Sequence, residues 1–307
     1  MVDEVVGRRP TGADPIEPVQ LIDVRGRRVA VAQAGAPDGA PAFWFHATPG
    51  SRLAAPPVRA AAEQSGVRLL LTDRPGFGQS DPQRNRDLSG WADDVAAIAD
   101  HLGVERFAAV GSSGGGPHAL ACAHRLEDRV TVVGLLGTLG PLPPGRLPRS
   151  MKVGNRVLFG LARRWPGLFR IVNRMLTAPF IVTINDDQRA ERVMTRVLSR
   201  LSEAERSLVG TPEARSNFVA MLREAIRQGS APITEELLML TRPWGFEPAG
   251  VAAPVHLWHG VDDASVPVAV ARDLAETIPG CRTHWLDGGH AAWLLHLDEV
   301  MGALRST

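Results

Sequence analysis

The sequence predicts an α/β protein, with a mostly parallel central sheet flanked by helices and a helical cap inserted into it. Three observations carry that reading. Short apolar runs of strand length alternate with helical patterns from Arg28 to Leu136. The alternation stops at residues 137–148, a segment dense in Gly and Pro, and about a hundred residues of helical periodicity follow without a convincing strand. Strand-like runs then resume at Pro254, so the core is split around the insertion. The expected division is a loosely ordered tail over 1–20, a core of 21–140 plus 248–307, and a helical cap over 141–247.

The strands of the first half are expected at 29–34, 42–46, 67–72 and 107–110, and another ends near Gly134-Leu135-Leu136. After the cap come a strand over 254–258, a helix over 268–278, a short strand over 282–286 and a last helix over 291–304. A chain of 307 residues, 44% hydrophobic and 22% charged, can bury a large core of this kind. The net charge of +1 gives no reason to expect nucleic acid as a partner. Cys122 and Cys281 are far apart and lack metal-ligand spacing, so neither a disulfide framework nor a zinc site is indicated. No signal-peptide pattern opens the chain and no run reaches the roughly 18 apolar residues of a membrane span, which makes the cytoplasm the expected compartment and excludes integral membrane association.

The chemistry begins where the strand ending in Val110 runs into Gly111-Ser112-Ser113-Gly114-Gly115-Gly116 and a helix follows from Pro117. This is a G-x-S-x-G elbow in the strand-to-helix setting it requires. A nucleophile on such a strained turn needs small neighbours, because side chains at Gly111 and Gly115 would collide where strand and helix cross. The frame selects Ser113, since centring on Ser112 would place Val110 where a glycine is needed. A phosphate-binding loop is excluded, because no G-K-[S/T] follows.

A serine hydroxyl needs a base, and Gly288-Gly289-His290 lies just past the last strand, on a flexible loop that reaches across the sheet edge. His118, His124 and His296 fall in expected helices and His256 in a strand, where packing is the ordinary role. The acid that orients the histidine should follow the preceding strand, and the loop there holds both Asp262 and Asp263. One oxyanion donor should be the N–H of Gly114, at a helix N-terminus where the dipole helps.

With these motifs in this order the chain resembles the α/β-hydrolase family. The family's acid loop reads Gly, two variable residues, Asp, then Pro four further on; Gly260, Asp263 and Pro267 match it and favour Asp263 as the acid. His46-Ala47-Thr48-Pro49-Gly50 is similar to the family's His-Gly-x-Pro-Gly loop, which implies Thr48 as the second oxyanion donor, with Ala47 departing from the usual glycine. The segment from Asp73 to Asp81 looks like the family's D-x-P-G-x-G-x-S stretch and implies a scaffold role.

The resemblance implies a serine hydrolase that needs no cofactor or metal and acts on a small to medium, largely apolar carboxylic ester through Ser113, His290 and Asp263. Relatives that hydrolyse a carbon–carbon bond, proline iminopeptidases, and relatives that keep the fold as a ligand receptor remain alternatives. Epoxide hydrolases and haloalkane dehalogenases are excluded, because Ser113 replaces their aspartate and the chain has no tyrosine. A proline iminopeptidase needs an acidic anchor for a free amine, whereas Glu203, Glu205, Glu213, Glu224, Glu235 and Glu236 read as helix-surface residues.

In the cap, Leu158, Phe159, Leu161, Trp165, Leu168, Phe169, Ile171, Val172 and Met175 recur at helical spacing and are expected to roof an apolar pocket. Residues 141–200 hold twelve Arg and Lys against three Asp and Glu, which reads as a solvated basic face over a core stripe, docking at an anionic membrane being the alternative. The expected partners are an ester-like small molecule and, left open, a second copy in a homodimer.

Overall fold

The structure is a computed structural model and describes residues 18–142, Leu147, Met151, 153–199 and 203–305. Eight strands form one sheet: β1 (Gln20–Val24), β2 (Arg27–Gly35), β3 (Ala40–Phe45), β4 (Val67–Thr72), β5 (Phe107–Ser112), β6 (Val130–Leu136), β7 (Val255–Gly260) and β8 (Arg282–Leu286). Their order is β1-β2-β4-β3-β5-β6-β7-β8, with β1 and β2 antiparallel to their neighbours and all other pairs parallel. The strand β1 pairs with β2 as a hairpin at the sheet edge. Its alternation of exposed and buried residues is short and begins at Gln20, the last residue of the expected tail, of which residues 1–17 lie outside the described residues.

The central strands read as near-continuous apolar runs because both faces of the sheet are covered. On one face lie α1 (Pro56–Gln64) and, near the C-terminus, a helix over Leu297–Arg305; on the other lie α2 (Leu88–His101), α3 (Gly116–Arg125) and a helix over Val268–Thr277. Each face has its own buried layer. Phe43, Phe45, Phe107 and Trp91 meet on one side, and Trp44, Trp258, Leu69 and Met301 on the other.

Between β6 and β7 the described residues form six helices: α4 (Val153–Arg164), α5 (Pro166–Asn185), α6 (Asp187–Leu198), α7 (Glu203–Val209), α8 (Pro212–Ala225) and α9 (Ala231–Leu240). This is the inserted helical cap. After it, α10 is Val268–Thr277 and α11 is Leu297–Arg305, the latter preceded by a 3₁₀ turn over Ala292–His296 rather than joining one helix from 291. Cap and core share an apolar junction in which Phe77 packs with Ile184, Leu222, Ile226 and Ile233.

The apolar set expected to roof a pocket does not lie together. Phe169 is buried inside the cap against Ala162 and Leu238, whereas Trp165, Leu168, Ile171 and Met175 face solvent. Helical spacing alone marks one apolar stripe and does not say which side the stripe faces. Helix α5 is also long and apolar enough to cross a membrane; the sequence reading missed it because Arg170 and Arg174 interrupt the apolar run.

Candidate active site

Parallel strands deliver their C-terminal ends to one edge of the sheet, and the segments that follow β3, β5, β7 and β8 there carry Thr48, Ser113 with Gly114, Asp263 and His290. Strand β5 ends at Ser112, and Ser113 follows at φ 51°, the sparsely allowed left-handed region, before a 3₁₀ turn over Ser113–Gly115 leads into α3. A side-chain carbon at Gly111 would strike the backbone of Gly115 and Gly116, and one at Gly115 would strike the Phe45 carbonyl. The elbow is thus held by backbone in close contact, and the tension falls on the serine. Its carbonyl accepts from the Thr138 hydroxyl at 3.2 Å and from the Leu139 N–H at 3.3 Å.

The loops after β7 and β8 are tied to each other, for the Val261 N–H donates to the Leu286 carbonyl at 2.9 Å and the Asp262 N–H to the Gly288 carbonyl at 3.0 Å. Gly288, at φ 117°, lets the second loop turn back. The result brings His290 Nδ1 to 2.6 Å from Asp263 Oδ2. Asp262 is exposed, whereas Asp263 is buried and accepts at Oδ1 from the Ser265 and Val266 N–H groups at 2.7 and 2.9 Å. Burial alone would raise the Asp263 carboxyl, but the hydrogen bonds from His290 and from these two N–H groups reverse it and hold the acid below its ordinary range. Since an ionised carboxylate only accepts, Nδ1 of His290 carries the proton of the shared bond. The carbonyl and ring of His290 lie against Gly137, next to the Thr138 and Leu139 contacts with Ser113, so the same short segment supports both loops.

His259 steadies the acid loop. Its Nε2 donates to the Val266 carbonyl at 2.9 Å and lies 3.4 Å from Asp263 Oδ2, while burial lowers its pKa and the Val266 bond opposes that. The spacing of His259 and Asp263, four residues apart across a tight turn, was the only sequence sign of it.

Thr48 and Gly114 face each other, for a side-chain carbon on Gly114 would run into the Thr48 hydroxyl. The loop carrying Thr48 is held by Arg74. Its guanidinium donates to the carbonyls of His46 and Ala47 and, at 2.9 Å, to the Thr48 hydroxyl. Arg74 is fully buried, and its charge is met by Glu236 of the cap at 2.8 Å; Arg86 pairs with the other carboxylate oxygen at 2.6 Å. The Thr48 hydroxyl lies 3.3 Å from Glu236 Oε1, and His118, whose Nδ1 donates to the Gly114 carbonyl at 3.1 Å, places Nε2 3.6 Å from the same oxygen.

Glu236 is therefore no helix-surface residue. It is completely buried on α9, and although burial would raise its carboxyl, Arg74 and Arg86 bring it down to about 2. Glu224 also points inward, to Arg52 at 2.6 Å, and Arg52 pairs in turn with buried Asp73. Glu235, by contrast, is a partly exposed partner of Arg170, as the sequence suggested. Glu236 was missed because its buried face can be told from the outer face of α9 only once the arginines of the core are placed beneath it.

A surface groove of about 950 Å³ between α6, α8 and Leu53 is lined by none of Ser113, Asp263 and His290. Among the described residues no cluster of His, Cys, Asp and Glu is arranged to hold a metal ion.

Among characterised proteins, the chain is similar to the 2-hydroxy-6-oxononadienedioate/2-hydroxy-6-oxononatrienedioate hydrolase of Cupriavidus pinatubonensis, at 27% identity over 75% of this chain and 72% of that one. It is 30% identical to the pimeloyl-acyl-carrier-protein methyl ester esterase of Aromatoleum aromaticum over 76% of this chain and 85% of that one. Its fold is similar to that of the enol-lactonase from Burkholderia xenovorans LB400, with a TM-score of 0.62 at 20% identity over 92% of this chain and 96% of that one. A family model for the alpha/beta hydrolase fold matches residues 44–297, a span that includes Ser113, Asp263 and His290, and the chain therefore belongs to the α/β-hydrolase fold family.

Proposed function

We propose that this protein is a serine hydrolase that cleaves a small to medium, largely apolar carboxylic ester through an acyl-enzyme, with Ser113 as nucleophile, His290 as base and Asp263 as the orienting acid. The observation that carries the proposal is the 2.6 Å bond between His290 Nδ1 and Asp263 Oδ2, because it fixes the tautomer and leaves Nε2 as the free basic nitrogen. His290 takes the Ser113 proton as the oxygen adds to the ester carbonyl, and the oxyanion is met by the N–H groups of Thr48 and Gly114. The imidazolium then protonates the departing alkoxide. Water, deprotonated by the same nitrogen, attacks the acyl-enzyme; the acid leaves and Ser113 regains its proton. The chemistry calls on no metal or organic cofactor, and free Cys122 and Cys281 accord with a reducing cytoplasm.

A second reading is favoured by the similarity to the Cupriavidus hydrolase. Its named substrate has no ester, so hydrolysis there must break a carbon–carbon bond beside a ketone; the same serine would attack that ketone, with the leaving carbon protonated instead of an alkoxide. A proline iminopeptidase is disfavoured, since Glu236 is already matched by two arginines and Glu224 by Arg52, which leaves neither to hold a substrate ammonium.

Purified protein should be assayed against p-nitrophenyl esters of increasing acyl length and, in parallel, against 2-hydroxy-6-oxodienoates. The proposal expects ester turnover that is lost in Ser113→Ala. Turnover of the dienoates with no ester hydrolysis would transfer the triad to the second reading.

A further inference from the structure

The cap has a face on which none of Thr48, Ser113, Gly114, Asp263 and His290 lies. From Val153 to Asn185, across α4 and α5, the chain carries five arginines and no carboxylate. Helix α5 has two unlike sides. On the inner side Phe169 and Ile184 are buried and the Asn173 amide donates to the Thr234 hydroxyl at 2.8 Å, and at the exposed edge Arg170 is paired with Glu235, contacts that fasten the helix to its neighbours. On the outer side Leu168, Ile171, Met175 and Val182, spaced by three, four and seven residues, are 49%, 60%, 70% and 57% exposed. Val153 and Val157 of α4 and Trp165 at the α4–α5 corner are exposed as well. Single exposed apolar side chains need no explanation, but a whole stripe of them marks a surface that is covered in use.

We propose that this face rests on an anionic lipid surface, with α5 lying in the plane of the interface. Charge selects the occupant. A second copy docked about a two-fold axis would bring the arginines of α4 and α5, which carry no carboxylate of their own, against themselves, whereas phosphate headgroups supply the opposite sign. Arg164 and Arg174 are exposed beside the stripe, and Trp165 stands at its end, where an amphipathic ring suits the headgroup boundary. Although α5 is long enough to span a bilayer, crossing would tear it from Thr234, Glu235 and Leu238, so the helix lies on the membrane.

The test is co-sedimentation of the full-length protein with vesicles of phosphatidylcholine alone and of phosphatidylcholine mixed with phosphatidylglycerol, at low and high salt. Binding is expected to the mixed vesicles, to weaken at high salt, and to fall about tenfold or more in Ile171→Ser/Met175→Ser and in Arg164→Gln/Arg174→Gln. Circular dichroism and turnover of a soluble p-nitrophenyl ester should match wild type in both variants, because these side chains point to solvent. Absence of wild-type binding to mixed vesicles overturns the proposal, as does equal, salt-independent binding to both vesicle types. A concentration-dependent dimer that disappears in Ile171→Ser/Met175→Ser, with no vesicle binding, would instead give the face to a second copy.

Discussion

Ser113 occupies a left-handed backbone conformation because the residues around it leave no alternative path from β5 into α3. Gly111→Ala should therefore be among the most damaging single changes in the protein, since the added carbon meets backbone atoms of Gly115 and Gly116 that cannot move aside. A thermal melt should show it as a large loss of stability; a near wild-type melt with full activity would mean that the elbow is looser than described. At the acid loop, Asp263→Asn should keep the fold and lower kcat by about three to four orders of magnitude. The exposed neighbour gives the control, for Asp262→Asn should alter kcat by about twofold at most, and a reversal of the two effects would reassign the acid.

At the scale of elements, α9 is the piece of cap that reaches furthest into the core, and it does so through one carboxylate. Glu236→Gln leaves Arg74 and Arg86 buried without a counter-charge, at a cost of about 3–5 kcal/mol, and loosens the hold of Arg74 on the Thr48 loop. The expected result is a lower denaturation midpoint with a fall in kcat and little change in KM. Packing α3 beneath this cluster also has a pH signature. Burial, reinforced by Arg74 and Arg86 and opposed by Glu236, pushes His118 from 6.5 to about 3. The unfolded chain then binds a proton that the folded chain refuses, so stability falls as pH drops from 6.5 toward about 3. Glu236, held down to about 2 from 4.5, acts in the same direction over the lower part of that range. Urea midpoints measured from pH 7 to 4 should decline, and His118→Gln should flatten the decline; an unchanged slope would remove His118 from the account. The sequence made most of these elements legible, because Gly111, Gly115, Gly260, Pro267 and the strand runs are local signals of turn and strand. It could not show that Glu236 is buried or that Leu168 and Ile171 face outward, since both depend on which element lies opposite, and that is decided only when the cap meets the sheet.

Across the whole molecule, cap and core behave as mutually dependent parts: Glu224 and Glu236 leave the cap to neutralise Arg52, Arg74 and Arg86, and Phe77 of the core sits in a pocket of cap side chains. Removing residues 145–245 should accordingly give an unstable, poorly soluble core rather than a hydrolase of broader specificity, which expression and a melt of the shortened chain would check. Everything chemical in this account nonetheless converges on one oxygen. The measurement that tests it most directly is reaction of the intact protein with a fluorophosphonate probe, followed by mass spectrometry of its peptides. A single adduct on Ser113, absent from Ser113→Ala and strongly slowed in an Asp263→Asn protein, is the result predicted. Labelling of Ser112 or another serine, or undiminished labelling of Ser113→Ala, would contradict it.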